Sequence, residues 1–375
     1  MIMRAENDAS AVNMNFSSSF AGVHPAVLKG MMAVNSRCEM GELGGYGNAS
    51  DDVTIATRER FGEIFGNDTE VAFLGNGTAS NQLAIGGLHE IARQRLGMLT
   101  PGVVFCAENS HLYGFEPAAA IRMQADIRSV EVVDGKLSLE ALSQAVGISL
   151  SKGPHTARPL VVSITNATET GSCYSPDEVR TIADFCHDHS MLLHMDGCFL
   201  ANAAVALGLE LREATRDLGV DALSLGGMKQ GLYDAETAAF FGLGIGQQEI
   251  DRFTKSLGQL QMRMPYRSGQ FLTYLGESGT DEGIWRQNAA QANLVARHLA
   301  AELTRYLGND VVSLSETYRV FAPLPPEARQ VMLDAERILP WNMSTNPEAP
   351  LCFTANWSHT LKSVEQYLAP LSKAS

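Results

Sequence analysis

The chain has 375 residues, 45% apolar and 19% charged, enough for a large buried core and, by length, roughly two to three domains. It carries 28 basic against 42 acidic residues, a formal net charge of -14, which argues against a nucleic-acid partner, since such binders show a basic patch. No apolar run approaches the ~18 residues of a membrane-spanning helix, and the first 20 residues hold no apolar stretch of signal-peptide type. Cys38, Cys106, Cys173, Cys186, Cys198 and Cys352 are scattered without CxxC spacing. They read as reduced thiols of a cytoplasmic protein, not as a disulfide framework or a metal site.

Residues 1 to about 15 are polar and expected to be loose. From Pro25 the spacing is helical, ending in the glycine-rich run 41–47, and residues 53–65 form an amphipathic helix. Residues 70–74 are a short apolar strand, and Gly75-Asn-Gly-Thr-Ala-Ser80 turns the chain into an apolar helix over 81–88. Strands follow at 103–106 and 159–165. A helix over 176–189 has Ser175 as its N-cap and Pro176 at its first position. A strand at 191–195, a helix at 201–207 and a strand at 221–225 continue the alternation, which predicts an α/β fold with a mostly parallel sheet flanked by helices. After about residue 305 the texture changes to strands at 311–314, 318–321 and 351–355, then a helix over 361–371: a small α+β domain.

Three features fall at strand ends, where ligands of open α/β sheets bind. The small residues of 75–80 let main-chain N–H groups approach an anion at a helix N-terminus, though an ordinary strand–helix turn would look the same. His194-Met-Asp-Gly197 puts a carboxylate at the end of a buried strand. That carboxylate needs a partner and could pair with a protonated pyridine nitrogen or cap the next helix. Ser224-Leu-Gly-Gly-Met-Lys-Gln-Gly231 sets Lys229 between glycines that leave room for a flat ring; alone, such a lysine would be read as solvated surface. A phosphate cradle, an aspartate and a lysine, in that order and each at a strand end, form the layout for pyridoxal phosphate.

The motifs Asn76-Gly-Thr-Ala-Ser-Asn81, Ser110-His111, Thr165-Asn-Ala-Thr-Glu-Thr-Gly171, Tyr174-Ser-Pro-Asp-Glu178, His194-Met-Asp-Gly197 and Gly226-Gly-Met-Lys-Gln-Gly231 resemble those of the β-eliminating lyase/threonine aldolase family. Its members are pyridoxal-phosphate enzymes of fold type I, like aspartate aminotransferase. The likeness runs from about Phe16 to the C-terminal helix and is strongest to low-specificity L-threonine aldolases. The resemblance implies an N-terminal arm (1–20), a large cofactor-binding domain (21–270) and a helical connection with a small C-terminal domain (271–375). By its pattern, Lys229 carries the cofactor and Asp196 pairs with its ring nitrogen. Asn76, Gly77 and Thr78 hold the phosphate, Thr168 lies in the cofactor site, and His111 stacks over the ring. Lys255, with Arg263, would reach the phosphate of a neighbouring subunit, implying a homodimer or homotetramer with shared sites.

The chain departs from the family at two arginines. Phe199 stands where an arginine contacts the cofactor's phenolic oxygen, and Cys352 where an arginine clamps the substrate carboxylate. Met228 and Ser19-Phe20 also differ. A bidentate arginine–carboxylate pair is strong and orienting. Either Arg37, Arg263 or Arg267 replaces it, or the substrate has no free α-carboxylate. The leading expectation is a carbon–carbon lyase acting on a β-hydroxy-α-amino acid. The alternatives are another reaction of the same cofactor (racemisation, β-elimination, transaldol transfer, or action on a carrier-bound or decarboxylated amine) and a non-catalytic family member.

Overall fold

The computed structural model describes residues 13–19, 21–43, 51–116, 123–279, 283–308, 312–335, 337 and 349–372. Phe20 and most of the glycine-rich run, 44–47, lie outside them. The chain divides into two compact units, Val23–Arg286 and Met1–Gly22 with Gln287–Ser375.

The larger unit is built on a seven-stranded sheet. Its strands are β1 (Thr69–Leu74), β2 (Val103–Ala107), β3 (Asp126–Val130), β6 (Pro159–Thr165), β7 (Leu192–Gly197), β8 (Ala222–Leu225) and β9 (Glu236–Phe241), in the order β1-β9-β8-β7-β6-β2-β3. A small hairpin, β4 (Val132–Val133) and β5 (Lys136–Leu137), stands apart. The pairs β3–β2, β2–β6, β6–β7 and β7–β8 are parallel; β9 runs antiparallel to both β8 and β1. The central strands β7 and β8 are buried at every residue and β6 at all but its last, as parallel strands covered on both faces require.

The helix Gly77–Arg95 lies across the sheet, burying Leu83, Ala84, Ile85 and Leu88 with Val104, Val161, Leu192 and Phe240. It begins inside the segment read as a turn, because the Asn76 side chain accepts from the Ala79 N–H at 2.8 Å and so caps it there. The helix Pro176–Asp188 has the expected cap: Ser175 and Glu178 bond each other's main-chain N–H groups, with Pro176 at the first position. Strand β9 and the helices Leu139–Ser151, Gln247–Ser256 and Met264–Leu275 were not foreseen.

The smaller unit holds the antiparallel sheet β10 (Ser313–Leu314), β11 (Arg319–Ala322) and β12 (Leu351–Thr354) with the helices Pro326–Asp334 and Leu361–Ser372. Its core joins Phe16, Val295, Leu299, Val320, Phe353, Val364 and Tyr367. Residues 13–16 are not loose here. Asn13 Nδ2 donates to Ser358 Oγ at 2.7 Å, the Thr354 N–H donates to the Phe16 carbonyl at 2.7 Å, and the Phe16 ring stacks on His359.

Candidate active site

The sheet register gathers five chain segments at one edge. Strands β1, β2, β6, β7 and β8 all end there, while β9, running the other way, begins there. Leu74 faces Glu236, Thr165 faces Asp196, and Leu225 pairs with both Gly197 and Thr237. Gly75–Thr78, Ser110–His111, Asn166–Thr168, Asp196–Phe199 and Gly226–Lys229 are therefore brought to one edge by topology alone.

At the end of β1, the first N–H groups of the Gly77–Arg95 helix have no intrahelical acceptor. A Cβ on Gly77 would meet nothing within 4 Å, so open space lies before this helix end. Gly75 is different. Its N–H donates to Gln259 Oε1 at 3.2 Å, and a Cβ there would come 3.0 Å from Arg267 Nη2.

Asp196 is buried, and no lysine or arginine forms an ion pair with it among the described residues. Its Oδ1 accepts from the Cys198 N–H at 3.0 Å and its Oδ2 from Asn81 Nδ2 at 3.0 Å. It does not cap the helix Leu200–Leu207, which has no side-chain cap. The same Asn81 nitrogen donates to Glu116 Oε1 at 3.2 Å, and that oxygen lies 2.6 Å from His111 Nδ1. A continuous polar chain thus runs from His111 through Glu116 and Asn81 to Asp196. Glu116 holds the His111 ring pKa above its ordinary value; Asp196 adds to this, while desolvation and Lys229 oppose it. Among the described residues, the buried Glu116 Oε2 and Asn81 Oδ1 have no partner.

His194, two residues before Asp196, has a different character. It is fully buried, with Nδ1 2.9 Å from Ser163 Oγ and Nε2 3.0 Å from Ser224 Oγ. Burial lowers its pKa to about 4, so it stays neutral and ties β6, β7 and β8 together.

Lys229 sits half-buried in the single turn Met228–Gln230 that follows β8. Its Nζ lies 5.1 Å from the centroid of the buried Phe199 ring, within cation–π range. The ammonium is favoured by the Cys198 sulfur and by Glu169, Asp196 and Glu236, against desolvation. The Cys198 thiol is itself pushed up to about 12 by burial, so at neutral pH it is the carboxylates that attract the ammonium.

The glycines before Lys229 do not leave room for a ring, as their sequence suggested. A Cβ on Gly226 would stand 2.7 Å from Cys198 Cα, and one on Gly227 2.2 Å from the Ala235 carbonyl oxygen. They are required because the chain's own backbone fills that space. Glu236, at the start of β9, accepts from the Gly227 N–H at 3.0 Å and the Met228 N–H at 3.2 Å.

Thr168 is buried at the edge after β6, with its hydroxyl 2.9 Å from that of Thr170 and 2.7 Å from that of Ser172. Lys255 and Arg263 are exposed and form no ion pair among the described residues. Of the replacement arginines, Arg37 is committed at the surface to Glu42 and Asp52. Arg267 is buried and held by Asp234, with Nη1 lacking a partner among the described residues. Cys352 belongs to the smaller unit, on β12 opposite Phe321.

The family model for β-eliminating lyases matches residues 25–322. The chain belongs to that family. It is 30% identical over 332 residues to a low-specificity L-threonine aldolase of Pseudomonas sp. (strain NCIMB 10558), covering 88% of each chain. It is 28% identical over 354 residues to one from Pseudomonas aeruginosa, covering 93% of this chain and 94% of that one. A threonine aldolase structure from Leishmania major shares the fold, with a TM-score of 0.81 at 20% identity over 96% of this chain and 99% of that one. The protein is thus a pyridoxal-phosphate-dependent lyase of fold type I.

The site suits that cofactor. It offers a half-buried lysine, a buried carboxylate with only neutral hydrogen-bond partners, and open space before a helix N-terminus. Sequence reasoning missed Glu116 and Glu236 and gave Asn81 no role. Glu116 follows His111 by five residues in an otherwise uncharged stretch, and that spacing was the one available signal.

Proposed function

We propose that the protein is a lyase of the threonine-aldolase type, cleaving or forming the Cα–Cβ bond of a β-hydroxy-α-amino acid. The observation that carries this reading is the polar chain joining His111 to Asp196 beside Lys229. Lys229 would hold the cofactor covalently, Asp196 would keep its ring nitrogen protonated, and Gly77 and Thr78 would offer N–H groups to its phosphate with Asn76 fixing the helix end. Thr168 would border the cofactor within its hydroxyl cluster. When bound, pyridoxal phosphate supplies an electron sink for the pair released at Cα.

The remaining work falls to His111. With Nδ1 engaged by Glu116 and no hydrogen bond at Nε2 among the described residues, Nε2 would take the β-hydroxyl proton as the Cα–Cβ bond breaks. An aldehyde then leaves, and a proton delivered to Cα completes glycine. Glu116 fixes the tautomer and supports the positive charge that His111 gains.

Lys255 and Arg263, both exposed, are suited to completing the phosphate site of a neighbouring subunit in a homodimer or homotetramer. The Phe199 ring beside Lys229 favours a substrate with a bulky apolar β-substituent, or one whose α-carboxylate is masked. That second case would admit another reaction of the same cofactor.

Two measurements test the reading. Borohydride reduction of the holoenzyme followed by peptide mapping should label Lys229 alone. Glycine and aldehyde should appear from L-phenylserine with a higher kcat/KM than from L-threonine. Label on another lysine would remove the site assignment, and no aldehyde from either substrate would turn the choice to the second reading.

A further inference from the structure

Glu236 is a buried carboxylate that the proposed chemistry does not use. It is 4% exposed and stands at the first position of β9, with Leu74 of β1 across from it. Its two oxygens accept from successive main-chain N–H groups, Oε2 from Gly227 at 3.0 Å and Oε1 from Met228 at 3.2 Å. Two consecutive amides pointing the same way make a concave donor pair suited to an anion. These two amides open the turn that carries Lys229. We propose that Glu236 is the positioning residue of this turn, its carboxylate fixing the backbone from which Lys229 projects. The proposal rests on the reading of Lys229 as the cofactor's lysine.

Packing alone does not call for a carboxylate here. An ionised group in this setting must pay for its desolvation, and the groups around it only partly compensate. Lys229, on the turn, favours its charge; Asp196, at the end of β7, opposes it. Cys198, also at that end, and Tyr274, from the helix Met264–Leu275, face it as uncharged groups whose own pKa values it raises. Burial wins, and the Glu236 pKa rises to about 7.

The sign matters. An acid whose folded pKa lies above its unfolded value costs stability once ionised, and the cost grows as pH climbs through that folded value. Ionised Glu236 thus orders one turn at the expense of the whole. In its protonated form one oxygen bears a hydrogen and becomes a much weaker acceptor toward the facing N–H, so one of the two bonds is weakened.

The test uses Glu236→Gln, which keeps one acceptor and turns an amide NH2 toward the other N–H. Wild-type and variant apoproteins are mixed with pyridoxal phosphate at pH 8, and covalent capture at Lys229 is followed by absorbance and borohydride labelling. We expect a Tm equal to or above that of the wild type. Capture should be slower by at least about tenfold, the weight of one hydrogen bond to a charged group. Capture at the wild-type rate would overturn the proposal.

Amide hydrogen exchange of the wild-type holoenzyme decides the matter if the variant fails to fold or loses Tm. Protection at Gly227 and Met228, corrected for intrinsic rates, should rise from pH 6 to pH 8. Exchange at both amides as fast as in an unprotected turn at pH 8 would overturn the proposal. Wild-type label on another lysine would remove the reading of Lys229 and this proposal with it. Label at Lys229 with an unaffected variant would remove this proposal alone.

Discussion

Two histidines of the larger unit, His194 inside the sheet and His111 at its edge, are fitted to opposite tasks. His194 is sealed between β6 and β8 with a serine hydroxyl on each ring nitrogen, and burial holds its pKa near 4. Both of its nitrogens are satisfied by neutral groups, so it has nothing to exchange. His111 has one nitrogen on a carboxylate and its ring pKa is raised, leaving the other nitrogen for a ligand. A fully satisfied buried ring builds structure; a half-satisfied one beside charge is suited to proton transfer.

The sharpest way to break this comparison is His111→Gln. If His111 moves the β-hydroxyl proton, kcat/KM should fall by about 10²–10⁴-fold, the usual weight of general-base catalysis. The cofactor should still load and the Tm should stay near that of the wild type. A variant that keeps its turnover would place the proton acceptor elsewhere.

His194→Leu should do the reverse. It leaves the Ser163 and Ser224 hydroxyls buried without their ring partner, at a cost of about 1–3 kcal/mol for each unsatisfied group. Denaturant unfolding should show that loss while residual activity per folded molecule persists. The pH dependence has a definite sign. The folded His194 pKa lies below its ordinary 6.5, so its burial favours folding above that value and becomes a liability as pH falls toward about 4. The variant should therefore lose part of the wild type's acid sensitivity over that window.

The same contrast explains what could be read from the sequence. The continuous apolar runs at 159–165 and 191–195 gave their strands to within two residues, since a buried parallel strand must be apolar throughout. Ser175-Pro176 gave its helix start because capping is local chemistry. Strand β9 was missed because Glu-Thr-Ala-Ala-Phe-Phe opens on a charge and holds two alanines, and only its place between β1 and β8 makes it a strand. Lys229 and Asp196 could be singled out because each residue type stands out at a strand end, whereas His111 was reached only through the family resemblance. Glu116, Asn81 and Glu236 could not be, since a carboxylate or amide looks like surface until the fold buries it. The glycines at 226 and 227 suggest room for a ring in the sequence, whereas the backbone contacts show that they accommodate the chain itself.

The smallest effect, and the one that probes the edge most finely, belongs to Glu116→Gln. Glu116 raises the His111 pKa through a 2.6 Å contact, the largest influence on that ring. A base whose pKa is raised stays protonated to higher pH, so the active neutral form of His111 builds up only above that raised value. The acid limb of the wild-type kcat/KM profile should therefore lie above the ordinary histidine range. Replacing the carboxylate with a neutral amide removes the anion that stabilised the imidazolium, and the limb should move toward lower pH. At neutral pH two effects then compete. More His111 is in the free-base form, but the base is weaker and its tautomer is less firmly held. The net change in turnover should be modest, about tenfold or less, because general-base efficiency varies only fractionally with base strength. The position of the limb is the decisive reading, taken from kcat/KM across pH 5.5 to 9 in both proteins. A limb that does not move would detach Glu116 from His111, and with it the polar chain that joins the edge to Asp196.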